Sequence, residues 1–155
     1  MIYLGSRRSG KAKLEYNLLF FVINKPAGLA VHGGTDVRYD IISSLKKLKN
    51  NSDIAPVNRL DKNTSGCMLV SKNYQSAREL GNCFKTSNVK KTYMALLSGK
   101  LAKNKIVVDS PLKTNKRKKN SSVMIDDSGK HALSTFTIQK CFTDCTLVNV
   151  LIQTG

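Results

Sequence analysis

The feature that most limits how this chain can fold lies between Val57 and Ser71. A polar stretch, Val57-Asn58-Arg59-Leu60-Asp61-Lys62-Asn63-Thr64-Ser65-Gly66, runs directly into the apolar Cys67-Met68-Leu69-Val70-Ser71. An apolar run bounded by turn residues reads as a buried strand. The polar segment is then a loop whose far end is anchored in a core. It carries a cation, Arg59, and an anion, Asp61, two residues apart, and Thr64, Ser65 and Gly66 turn it into the strand. Rigid elements that hold loop side chains are the usual framework of active sites, which makes Asp61 a candidate for chemistry at a cleft edge. An Asp in such a turn is also commonly a turn former, its carboxylate accepting from nearby backbone amides. The residues alone leave both readings open.

With 155 residues the chain suits one domain, and 41% hydrophobic residues suffice for a core. The net charge of +16 and a pI near 9.9 point to a polyanionic partner, nucleic acid before an anionic membrane surface. The excess of Lys over Arg and the many Asn residues also fit an A/T-rich genome. Cys67, Cys83, Cys141 and Cys145 show no Cys-x-x-Cys spacing and no neighbouring His that completes a zinc pattern. They read as buried free thiols of a reducing compartment. The N-terminus is polar and basic, and no run approaches the ~20 apolar residues of a membrane span. A soluble cytoplasmic protein and a monomer are expected.

Residues 1–13 lack periodicity and read as a basic tail or linker, with the folded part over 14–155. Leu18 to Asn24 is an apolar strand ended by Pro26 and Gly28. Gly33-Gly34 follows His32 in a loop without the strand-to-helix context of a phosphate-binding turn. Ile41, Ile42, Leu45 and Leu48 have helical spacing within Tyr39 to Lys49, and Lys46, Lys47 and Lys49 sit where a helix dipole favours cations. Asn50 and Asn51 stop that helix. A second helix runs from about Tyr74 to Phe84, with Ala77, Leu80 and Phe84 on one face. Lys90 to Leu97 is a strand, in which Tyr93 reads as a half-buried aromatic. Lys113 to Asn120 is a charge run that reads as an exposed loop or a phosphate contact, with Lys116 and Arg117 at its centre. Val123 to Ile125, Ser134 to Gln139 and Cys145 to Ile152 are strands, with a turn at Asp126 to Gly129. The pattern is α+β with a largely antiparallel sheet.

Three segments together resemble the RluA-type pseudouridine synthases. They are Arg59-Leu60-Asp61-x-x-Thr64-Ser65-Gly66, the stretch Val22-Ile23-Asn24-Lys25-Pro26-Ala27-Gly28-Leu29-Ala30-Val31-His32-Gly33-Gly34, and Lys90-Lys91-Thr92-Tyr93-Met94-Ala95-Leu96-Leu97-Ser98-Gly99. Their order and spacing fit, the Val-His-Gly-Gly ending is similar to the RluC branch, and the resemblance covers about Glu15 to Gly155. It implies the pseudouridine synthase fold, a mixed and mostly antiparallel sheet with flanking helices and a central RNA cleft. It also implies isomerisation of uridine to pseudouridine in large-subunit ribosomal RNA without metal or cofactor. Asp61 becomes the essential carboxylate, reached by a base extruded from its stack. Arg59 fills the space that base leaves, and Tyr93 stacks beside the uracil. His32, Thr64, Lys116 and Arg117 are candidate RNA contacts.

Two departures from the family pattern stand out. The family usually has His where this chain has Asn58, a supporting position that here cannot carry charge. After Gln153-Thr154-Gly155 the family string continues Arg-Thr-His-Gln-Ile-Arg, whose first Arg pairs with the catalytic Asp. The expectation is a shortened copy or a fragment, lacking roughly the last third of the catalytic domain, with weak activity or none. The alternative is a degenerate RNA-binding homologue without catalysis. A general basic ribosome-associated protein explains the charge but not the three matched segments.

Overall fold

The computed structural model describes residues 14–16, 19–34, 39–86, 89–115 and 122–154. The chain divides into two compact units, Met1–Thr86 and Ser87–Gly155. The 1–13 tail lies outside the described residues.

In the first unit the elements follow as β1 (Leu14–Tyr16), β2 (Phe20–Lys25), α1 (Ile41–Lys49), β3 (Ala55–Pro56), β4 (Gly66–Ser71) and α2 (Tyr74–Lys85). The strands form one antiparallel sheet in the order β1-β2-β4-β3. Side chains alternate across a strand, so Phe21, Ile23 and Lys25 of β2 point inward, as do Met68 and Val70 of β4. The register sets Phe21 opposite Val70 and Ile23 opposite Met68. Ile23, Met68 and Val70 are fully buried, each stabilising the fold by about 1.5–3 kcal/mol over an exposed position. Helix α1 adds Ile41, Ile42 and Leu45 to this core. Its N-terminus is capped by the buried Asp40, whose carboxylate accepts from the Ser43 amide at 2.8 Å. Burial opposes ionisation of Asp40, but the Ser43 and Ile42 bonds and nearby His32 hold its carboxyl below the usual range. Asn50 ends the helix in the left-handed conformation, as its sequence position suggests. Leu48 corrects the helical reading: it is exposed rather than part of the core.

The second unit contains β5 (Lys91–Ser98), β6 (Lys105–Asp109), β7 (Leu112–Asn115), β8 (Ser122–Ile125), β9 (Leu133–Cys141) and β10 (Cys145–Ile152). A four-stranded antiparallel sheet has the order β5-β10-β9-β6, and β7 and β8 form a separate two-stranded ribbon. Thr146, Val148 and Val150 of β10 are buried and lie opposite Leu97, Ala95 and Tyr93. The other face of β5 leaves Met94 and Leu96 exposed. In the turn after β8, Asp126 accepts from the Ser128 hydroxyl and amide and pairs with Lys113. These bonds, Ser128 first, pull its carboxyl down to about 2.

The architecture is α+β with antiparallel ladders throughout the described strands, as expected. Two details correct the sequence reading. Lys113 to Asn115 is strand β7 rather than loop, because the backbone pairs with β8 despite having no apolar residue beyond Leu112. The remainder of that charge run, including Lys116 and Arg117, lies outside the described residues. The cysteines are free but not buried: Cys67, Cys83 and Cys141 are exposed and Cys145 is half-buried. Cys67 alternates with the inward Met68, which turns its thiol to the outer face. Among the described residues no helix is long and apolar enough to cross a membrane.

Candidate active site

The Asp61 loop joins β3 to β4 and is fastened at several points. At its start the Val57 amide donates to the Leu69 carbonyl at 2.9 Å. Next the Asn58 side-chain oxygen accepts from the Leu69 amide at 2.8 Å. Leu60 is buried and acts as an apolar peg. The Thr64 amide then donates to the Asp61 carbonyl at 3.0 Å, closing the turn that carries the carboxylate. Gly66, with φ of +129°, adopts a conformation that a side chain disfavours as the chain enters β4.

The far side of the loop is held by the turn that follows β2. The Gly28 amide donates to the Lys62 carbonyl at 2.8 Å, and Gly28 has a φ of +85°. The Lys25 ammonium donates to the carbonyls of Leu29 at 2.7 Å, Lys62 at 2.9 Å and Pro26 at 3.0 Å. Lys25 is fully buried. Three donors meeting three carbonyl acceptors satisfy an ammonium without a carboxylate contact. Burial lowers its pKa below the ordinary 10.5, and the negative charge of Asp61 partly offsets that effect. Lys25 therefore supplies positive potential at the Asp61 loop from within the core.

The fastenings leave the candidate side chains outside. Arg59 and Asp61 are exposed and Thr64 is half-buried. Asp61 lies exposed on the loop, while its neighbour Leu60 takes the inward position. His32 is exposed on a different loop, where its charge acts on Asp40 at the start of α1. Tyr93 belongs to the second unit, half-buried opposite Val150. Asp61, Arg59 and Thr64 are thus brought together on one loop with Lys25 behind it. Among the described residues no group of three or more His, Cys, Asp or Glu side chains could hold a metal ion.

Sequence reading missed Lys25 and undervalued Asn58. The signal for Lys25 was present, since it lies two and four residues after the inward Ile23 and Phe21. For Asn58 there was none, because its partner Leu69 is eleven residues away in sequence and depends on the register of β4.

A family model described as RNA pseudouridylate synthase matches residues 19–155. A ribosomal large subunit pseudouridine synthase C of Buchnera aphidicola subsp. Baizongia pistaciae is 35% identical over 138 residues, 88% of this chain and 44% of that protein. Its counterpart from Rickettsia conorii is 43% identical over 120 residues, 76% of this chain and 40% of that protein. The solved structure of human RNA pseudouridylate synthase domain containing 4 superposes with a TM-score of 0.72 at 25% identity, covering 92% of this chain and 59% of that one. The chain spans less than half the length of these two curated relatives.

Proposed function

Because the chain belongs to the RNA pseudouridylate synthase family, we propose that it carries the Asp61-bearing part of an enzyme that isomerises uridine to pseudouridine in large-subunit ribosomal RNA. Residues 14–155 correspond in this reading to the N-terminal part of the catalytic domain. The observation that supports it best is the Asp61 loop: its backbone is fixed from both sides while its carboxylate is left free to meet a substrate.

The reaction exchanges one bond for another. The N1–C1′ bond breaks, the uracil turns, C5 joins C1′, and the proton lost from C5 is balanced by one gained at N1. The Asp61 carboxylate can attack C1′ or assist proton removal at the sugar. The target nucleoside leaves its stack to reach it. The exposed Arg59 then stacks its planar guanidinium in the vacated space and bonds phosphate, which Lys does less well. Tyr93 stacks on the uracil. His32, Thr64, Lys116 and Arg117 contact the RNA. No redox cofactor is needed, since no electrons change hands overall. The partner is ribosomal RNA, the protein acts as a monomer, and the compartment is the cytoplasm.

The test is pseudouridine mapping on large-subunit ribosomal RNA from a strain whose sole copy of the gene carries Asp61→Asn. Loss of pseudouridine at one or more sites is expected. Persistence at every site removes the enzyme reading.

A further inference from the structure

The bond between Asn58 and Leu69 lies where the pairing of β3 with β4 runs out. One residue earlier, the Val57 amide still donates to the Leu69 carbonyl. At Asn58 the main chain has turned away from β4, and the side-chain oxygen replaces it as acceptor for the Leu69 amide at 2.8 Å. A side chain thus completes a backbone ladder at the point where the Asp61 loop departs. Asn58 and Leu69 are both half-buried, so the amide loses part of its access to water and leaving it unpaired is costly. The other end of the loop is held at Lys62 by Gly28 and Lys25. Asp61 therefore sits three residues from one anchor and one from the other.

We propose that Asn58 is a positioning residue for Asp61, fixing the start of the loop by holding the Leu69 amide on its side-chain oxygen. The inference rests on the assignment of Asp61 as the reacting carboxylate, but what it claims directly is the shape of the loop. The latch requires an acceptor and no charge. Asp fits it, Leu does not, and His fits it only while its imidazole is neutral. The charged side chains that follow residue 58 on the loop are Arg59, Asp61 and Lys62, and Lys25 at the end of β2 binds the loop at the Lys62 carbonyl.

Amide hydrogen exchange on the whole chain tests this through three reporters: Leu69, which the latch holds, and Thr64 and Gly28, whose bonds to Asp61 and Lys62 define the loop. Asn58→Asp keeps all three within about twofold of the wild type, and Asn58→Leu lowers their protection by about tenfold, the equivalent of about 1.4 kcal/mol. Asn58→His contains both states in one protein, with protection retained well above pH ~6.5 and lost well below it. A merely structural substitution shows no such crossing. The proposal fails if Asn58→His gives pH-independent protection, or if Leu69 alone loses protection while Thr64 and Gly28 keep theirs. Failure of the catalytic assignment appears separately, as pseudouridine that survives Asp61→Asn while the exchange pattern holds.

Discussion

The Nζ of Lys25 lies 2.9 Å from the carbonyl oxygen of Lys62, the residue that follows Asp61. This contact ties the end of β2 to the loop between β3 and β4, which are far apart in sequence. It uses a charged group to hold backbone, leaving the Asp61 carboxylate uncommitted. A direct Lys–Asp ion pair would place the same two charges together but would occupy the group proposed to meet the substrate. The arrangement separates the tasks: the ammonium shapes the loop and raises local potential, and the carboxylate faces outward.

Lys25→Met keeps much of the side-chain volume and removes all three donors. The Lys62 carbonyl retains its bond from Gly28, but the carbonyls of the half-buried Pro26 and Leu29 lose theirs. A loss of about 2–4 kcal/mol in unfolding free energy is expected, measured by urea denaturation. A change below about 0.5 kcal/mol contradicts the assignment of Lys25 as a clamp.

The same residue sets an alkaline dependence. Its pKa in the folded chain is lowered from 10.5 by burial, with Asp61 opposing. The folded protein releases this proton at a lower pH than the unfolded chain does. Between the two values the unfolded state binds more protons, so stability rises with pH in that interval. The wild type is expected to gain stability relative to Lys25→Met as pH climbs toward 10.5. Asp61→Asn removes the opposing charge and moves the onset of this gain to lower pH. Unfolding curves taken at successive alkaline pH values measure both effects.

The strands and helices of the described residues were mostly legible because each carries a local signal: apolar runs bounded by turn residues in β2 and β4, helical spacing in α1, and Asn as a helix stop. The parts that escaped depend on long-range pairing. Nothing in Lys113-Thr114-Asn115 marks a strand until β8 lies beside it. Cys67 reads as core from its apolar neighbours, and only the phase of alternation turns it outward. The loop carrying Arg59 and Asp61 was legible through its motif, whereas Lys25 and Asn58, which shape it, act through backbone groups that sequence does not pair. Leu60 and Asp61 show how one position decides a role: the apolar neighbour goes in and the carboxylate comes out.

At Gly129 the backbone leaves no room for a side chain. A Cβ there would lie 2.6 Å from the Leu112 carbonyl carbon, 2.7 Å from its oxygen and 2.8 Å from the Asp126 oxygen. These are backbone atoms, held by reciprocal bonds between Leu112 and Lys130 of 2.8 and 2.9 Å. Gly129→Ala must therefore open the turn beside β7, at a cost of about 1–3 kcal/mol. Faster amide exchange at Leu112 and Lys130, with β10 unaffected, is the expected pattern. Unchanged exchange at both amides shows that the turn tolerates the methyl group.

The RNA reading of Arg59 separates charge from shape. Lys and Arg both neutralise phosphate, but only the planar guanidinium stacks on bases. Arg59→Lys should therefore leave the salt dependence of binding unchanged while weakening affinity about fivefold to tenfold, a stacking contribution of about 1 kcal/mol. Arg59→Ala should weaken affinity further and reduce the slope of log K against log salt by about 0.7–0.9, the share of one phosphate contact. Fluorescence anisotropy with a labelled large-subunit ribosomal RNA fragment, at several salt concentrations, resolves the two effects. The net charge of +16 is common to wild type and Arg59→Lys, so non-specific attraction cancels between them. If Arg59→Lys binds as tightly as the wild type, Arg59 contributes only its charge and does not occupy the space of the extruded base.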